Sequence, residues 1–170
     1  MTATDSTSLA ETFPLEAFDI DGLQDEIRAD RLCQQLLRRF AADLATGAGL
    51  PPAEAGALAH GADYFLREFM IDDRRENPFR LRAGRVRQFA DTWYIIRNLE
   101  PNLAELTDLL EGVMAAYHYF GEQGLVSTDL AQQVRGECED LEFYRERIES
   151  FWAIEEGGYP AWESRCSLKD

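Results

Sequence analysis

The chain is 170 residues long, 45% hydrophobic and 11% aromatic, with 32 acidic against 17 basic residues and a formal net charge of -15. That length fits one domain able to bury its own core without staples, and the apolar content excludes a globally disordered chain. A charge of this sign repels phosphate backbones, so nucleic-acid binding by the whole surface is disfavoured.

Three cysteines, Cys33, Cys138 and Cys166, with no CxxC, are not a disulfide framework. Cys33 and Cys138 fall on apolar helix faces, where a free cysteine acts as a small hydrophobe, and a reducing, cytoplasmic location is predicted. Met1 to Thr12 hold no Lys, Arg or apolar run, which fails the pattern of a secretory signal or an Arg-rich transit peptide. No stretch approaches the roughly 18 consecutive apolar residues of a membrane span.

Residues 1–14 read as a flexible lead-in. A first helix is predicted from about Gly22 to Thr46, with Asp19 or Asp21 as its cap and Cys33, Leu36, Leu37, Phe40 and Leu44 as its apolar stripe. A second begins at Pro51-Pro52, presents Ala55, Leu58, Ala62, Phe65, Leu66, Phe69 and Met70, and ends near Ile71. Residues 72–83 read as irregular, with a short extended piece at 79–82. A third helix, from about Ala83 to Leu99, buries Val86, Phe89, Ala90, Trp93 and Ile96, and Tyr94 and Ile95 make it apolar over most of its circumference. Asn102 caps a fourth, whose stripe includes Leu103, Leu106, Leu110, Val113, Tyr117 and Phe120. Ser127 or Thr128 caps a fifth that reaches about Ile154, with Val134, Cys138, Leu141, Tyr144, Ile148, Phe151 and Trp152 inward. Tyr159 and Trp162 in the tail are placed to dock back.

Chemistry-bearing motifs are sparse. Neither His60 nor His118 has the Glu three residues before it that a di-metal bundle uses, and two histidines without a cysteine pair do not make a zinc site. No phosphate-binding glycine loop and no Gly-x-Ser-x-Gly elbow occurs. Glu137, Glu139, Asp140 and Glu142 read as a solvated helix face, with Arg145 and Arg147 as local partners.

Two features depart from this background. Arg74, Arg75, Arg80, Arg82, Arg85 and Arg87 crowd one short window in which Glu76 is the single acid. Arginine forks suit carboxylates and phosphates, so the window is either a docking patch or the internal counter-charge to the acidic first thirty residues. The second feature is a density of aromatics, of which Tyr119 and Phe143 fall off their helix stripes and are expected at the surface, as interface rings do.

The segment Ala115 to Leu125, a helix exit through Tyr117-His118-Tyr119-Phe120-Gly121-Glu122-Gln123-Gly124-Leu125, resembles helix exits in the core-binding domains of tyrosine recombinases. Such domains grip DNA with basic surfaces, and any helix closing on a Gly-Leu turn shares this chemistry, so the resemblance assigns no family.

The chain is therefore predicted to be all-α, a single-domain helical bundle of about five helices, with a flexible segment 1–14, a bundle 15–156 and a tail 157–170. The leading functional reading is a non-catalytic protein-interaction or self-associating module, with no cofactor, no metal and no membrane. It would bind a protein partner or a second copy of itself through exposed aromatics and the arginine window. The alternative is a small-molecule or phosphate-binding protein, or an enzyme, with a pocket between the third and fourth helices beside Trp93, Tyr117 and His118. A nucleic-acid accessory role through the arginines stands third.

Overall fold

The computed structural model describes residues 7–166, which are helical and contain no strand. Within the expected lead-in, Ser8 and Glu11 form a reciprocal capping box on a one-turn helix, α1 (Leu9–Thr12), and Leu9 and Phe13 reach the core. Residues 1–6 of that lead-in, and 167–170 of the tail, lie outside the described residues.

Helix α2 (Leu23–Thr46) buries Ala29, Cys33, Leu36, Leu37 and Phe40, the face its periodicity marks. Neither aspartate offered as its cap serves as one. Gly22 occupies the cap without a side-chain bond, while Asp19 accepts from Asn77 (2.7 Å) and Arg80 (2.9 Å) across the fold. Helix α3 (Pro52–Asp63) continues without a break into a π-helical stretch, Tyr64–Arg74, so this rod outruns its expected end at Ile71 and stops where Arg75 turns left-handed, at φ 54°. The extended piece expected at 79–82 is replaced by a single 3-10 turn, Pro78–Arg80. The Asn77 side chain accepts from the Phe79 N–H, and Pro78 supplies a preset φ.

A second rod is built from α4 (Arg85–Gln88), a π-helical stretch (Phe89–Trp93) and α5 (Tyr94–Arg97). The wider π turn holds more residues per turn and so retards the helical phase. Counting from Val86 at 3.6 residues per turn puts Ile96 inward, but the structure buries Ile95 and leaves Ile96 43% exposed. The two π-helical stretches face each other through rings. Phe89 lies 5.2 Å from Phe65 and 5.5 Å from Phe69, and Trp93 lies 5.5 Å from Tyr64 and 5.3 Å from Phe69.

Helix α6 (Leu103–Glu122) is capped by Asn102, whose side chain accepts from the Glu105 N–H at 2.8 Å. It crosses α3 at two glycines. A Cβ on Gly112 would sit 2.3 Å from the Leu58 carbonyl oxygen, and one on Gly61 would sit 2.6 Å from that of Leu109. Backbone therefore rests on backbone there, which glycine alone allows. The predicted fifth helix is two: α7 (Thr128–Cys138), capped by Ser127, and α8 (Leu141–Trp152), with the break at Glu139 and Asp140. The break lets Val134 and Cys138 face the core from one segment and Tyr144 and Ile148 from the other. A short helix, α9 (Tyr159–Glu163), follows, and its Trp162 is 5% exposed.

Candidate functional site

The arginine window is joined to carboxylates of its own chain at every position. Arg75 reaches Glu26 (3.2 Å) and Arg80 reaches Asp19 (2.9 Å), both in the acidic N-terminal part of the chain. Arg74 pairs with Asp73 (3.0 Å) and Arg82 with Glu76 (3.3 Å). Arg87 pairs with Asp140 (2.7 Å) while its guanidinium lies 4.9 Å over the Phe143 ring. Arg85 is the interior member: 2% exposed, it bonds Glu76 through Nε (2.9 Å) and Gln88 through Nη1 (2.8 Å). Burial opposes the charge of Glu76, yet the Arg85 fork and the nearby Arg82 hold its carboxyl below the usual range. At Asp19 the Asn77 amide and then Arg80 do the same.

Trp93, Tyr117 and His118 do not converge on one pocket. Tyr117 is fully buried and donates to the Pro78 carbonyl at 2.7 Å; burial raises its phenol pKa well above the ordinary value. His118 stands on the outer face of α6, its Nε2 3.0 Å from Glu122. Trp93 alone borders a cavity. A surface cleft of about 520 Å³ opens where the two rods meet α9, lined by Phe69 and Arg74 from the first, Gln88, Thr92, Trp93 and Ile96 from the second, and Pro160, Glu163 and Cys166 from the C-terminal part. The indole Nε1 of Trp93 is buried with no hydrogen-bond acceptor.

Beneath that cleft lies a polar cluster that periodicity did not reveal. Arg147, read from sequence as a surface charge, is 4% exposed. It donates to the Asp91 carbonyl (3.0 Å) and the Trp162 carbonyl (2.9 Å), and its guanidinium sits 3.9 Å over the Trp162 ring. The Trp162 indole returns a bond to the Arg147 carbonyl at 3.1 Å. Burial draws the Arg147 pKa below its ordinary value, against the pull of Asp91. Asp91 is itself fully buried and accepts from the Thr92 hydroxyl at 2.7 Å. This cluster pins α9 to the second rod and so shapes one wall of the cleft.

The off-stripe rings also differ from expectation. Tyr119 is 6% exposed, because α6 packs on α7 as well as on α3 and the Tyr119 side chain reaches α2, lying 5.2 Å from Phe40 and donating to Asp43 at 2.6 Å. Phe143 is half-buried under Arg87. Large apolar side chains are exposed in two places: Leu23 and Ile27 on the first turns of α2, and a group of two aromatic rings and two aliphatics at the end formed by α5, α8 and α9. Leu99 is 97% exposed, Trp152 58%, Ile96 43% and Tyr159 39%. Trp152 donates to the Pro101 carbonyl at 3.1 Å, which sets its indole beside the turn that carries Leu99. Phe151 links Trp152 to Trp162, which in turn lies 6.1 Å from Tyr159. Ile96 and Pro160 belong to the cleft wall, so the exposed surface runs into the cleft. Sequence gave a faint signal for this in Leu99-Glu100-Pro101, a large aliphatic residue in a turn with no helix face to join.

Among the described residues no group of three or more His, Cys, Asp or Glu side chains is placed to hold a metal ion, and no helix is long and apolar enough to cross a membrane. Cys33 and Cys138 are buried thiols whose pKa values burial pushes far up, which makes them poor nucleophiles. No protein-family model, no curated protein and no solved structure matches the chain.

Proposed function

We propose that this protein is a non-catalytic protein-interaction module whose contact surface is the apolar end formed by α5, α8 and α9, with the adjoining cleft as its anchoring pocket. The observation that carries this reading is the joint exposure of Leu99 and Trp152, two large apolar side chains beside one turn, in a chain that buries Tyr119 and pairs its arginines internally. Exposed apolar surface next to a concave pocket is the usual anatomy of a binding hot spot and its rim. The arginine window supports the fold in this reading and does not form the contact face. A photo-crosslinking residue at position 99 in the source cells should yield a discrete adduct that Trp152→Ser abolishes, whereas the same residue at the exposed Gln35 of α2 should yield none. Equal labelling from both positions, or from neither, would remove the proposal.

A small-molecule site in the cleft is the second reading. It is favoured by the buried Trp93 Nε1 without an acceptor and by the two π-helical stretches bordering it, since such stretches recur at functional sites. Its volume of about 520 Å³ falls within the range of ligand pockets. A ligand of this site raises the melting temperature by mass action in a metabolite thermal-shift screen. That rise should vanish when Ser164→Trp narrows the cleft.

A further inference from the structure

Taking the interaction reading as its basis, we infer that the occupant of the apolar end is a basic amphipathic helix of a different protein. The apolar patch itself would accept any apolar face; its surroundings choose among them. Glu163 lines the cleft, and Glu100, Glu155 and Glu156, within four residues of Leu99, Trp152 or Tyr159 in the chain, are exposed, against Arg97 and Arg165; Arg97 already lies 4.9 Å over the Trp93 ring, and the cleft's Arg74 is paired with Asp73. Behind this rim stands a chain of net charge -15. A second copy would bring the same acidic rim and the same net charge, and an anionic membrane or a nucleic acid would be repelled in the same way. A helix with one aliphatic face and flanking Lys or Arg matches both layers. Its apolar residues cover Leu99 and Trp152, one larger side chain enters the cleft past Ile96, and its cations meet the glutamates. This is the helix-in-groove mode, in which the apolar anchors supply affinity and the charges supply on-rate and partner choice.

The test uses three fluorescent peptides of about five helical turns. One carries Leu along one face and Lys elsewhere, one carries the same Leu face with Glu, and one is a scrambled Leu/Lys sequence without a face. Binding is read by anisotropy against the full chain. The Leu/Lys peptide should bind, should weaken as salt rises, and should lose about thirtyfold in affinity on Leu99→Asp, the loss expected for a hot-spot residue. Glu155→Lys combined with Glu156→Lys should weaken it several-fold. Leu99 is almost wholly exposed, so its variant keeps the fold, and an unchanged melting curve verifies this. Equal binding of the scrambled peptide, indifferent to Leu99→Asp, would mean diffuse attraction to an acidic surface and would overturn the inference. Preference for the Leu/Glu peptide would overturn the partner's charge while leaving the interaction module in place. No peptide binding together with self-association that Leu99→Asp abolishes would give the site to a second copy. No binding and a strict monomer at all concentrations would count against the inference, and failure at position 99 in the crosslinking experiment would then separately remove the interaction module itself.

Discussion

The arginine segment 74–87 and the apolar end of α5, α8 and α9 use their side chains in opposite ways. The segment carries the densest positive charge in the chain and directs it inward, to Glu26, Asp19, Glu76 and Asp140. The apolar end carries Leu99, Trp152, Ile96 and Tyr159 and leaves them to solvent. Charge is readily satisfied within a chain so rich in carboxylates, because long arginine side chains can reach partners on several elements. Apolar area has no such short-range remedy. Each Å² left in water forgoes about 25 cal/mol, and only a covering surface recovers it. A charged cluster in an acidic protein therefore points to the fold, and a cluster of exposed rings and aliphatics points to a partner.

The largest expected effect lies in the charged segment. Arg85 is 2% exposed and its fork holds Glu76. Arg85→Ala should cost about 3–5 kcal/mol in urea unfolding, the range for breaking a buried ion pair. A loss below about 1 kcal/mol, in the range of an exposed pair, would make the segment a solvated surface after all. Arg147→Met should rank next, at about 2–4 kcal/mol, since it leaves the Trp162 and Asp91 carbonyls without their charged donor. It should also release α9, seen as faster proteolysis of the C-terminal part with the remainder of the bundle intact.

Acid should act on the same segment. Asp19 and Glu76 are held below their ordinary values of 3.8 and 4.5 in the folded protein, so the unfolded chain binds more protons in acid than the folded one. Their contribution is complete above those ordinary values and is lost as pH falls through the lowered ones. Stability measured from pH 6 downward should fall, and the Asp19→Asn, Glu76→Gln double variant should start lower and fall less steeply. A parallel decline in both proteins would show that these carboxyls are not the linked groups. Smaller again is Arg80→Ala at a half-exposed, solvent-screened pair, which should change stability far less than Arg85→Ala and so calibrates how much of the segment's effect depends on burial.

What the sequence conveys of this fold depends on where the helical phase is interrupted. Helices α2 and α6 keep uninterrupted α periodicity, and their buried faces follow from counting, as does the Asn102 cap. The π-helical stretch at Phe89–Trp93 and the break at Glu139 and Asp140 each reset the phase without any residue that announces it. Counting across them assigns Ile96 and Trp152 to the core, and these two become part of the exposed end. Tyr119 errs in the opposite direction, because a helix packed on several sides buries more than one stripe. The close crossing of α3 and α6 was marked only by the small residues Gly56, Ala57, Ala59, Gly61 and Ala62, which read equally well as a weakly apolar helix. The counter-charge role of the arginines was legible as a balance of signs; which acid each one meets depended on the tertiary path of residues 15–30.

The smallest stability effect separates the two regions best. Leu99→Ser removes a side chain that is 97% exposed and belongs to no buried cluster, so unfolding free energy should change by no more than about 0.5 kcal/mol. If the exposed end were merely unfinished packing, such a change would be silent in every measurement. If it is a contact face, the variant folds as the parent does, melts at the same temperature, and loses the Leu/Lys peptide. Arg85→Ala behaves in the contrary way: peptide affinity per folded molecule is kept while the folded fraction declines. The pair of variants thus divides stability from binding at two regions of one chain, and a Leu99→Ser protein that both unfolds early and still binds would reverse the assignment of both.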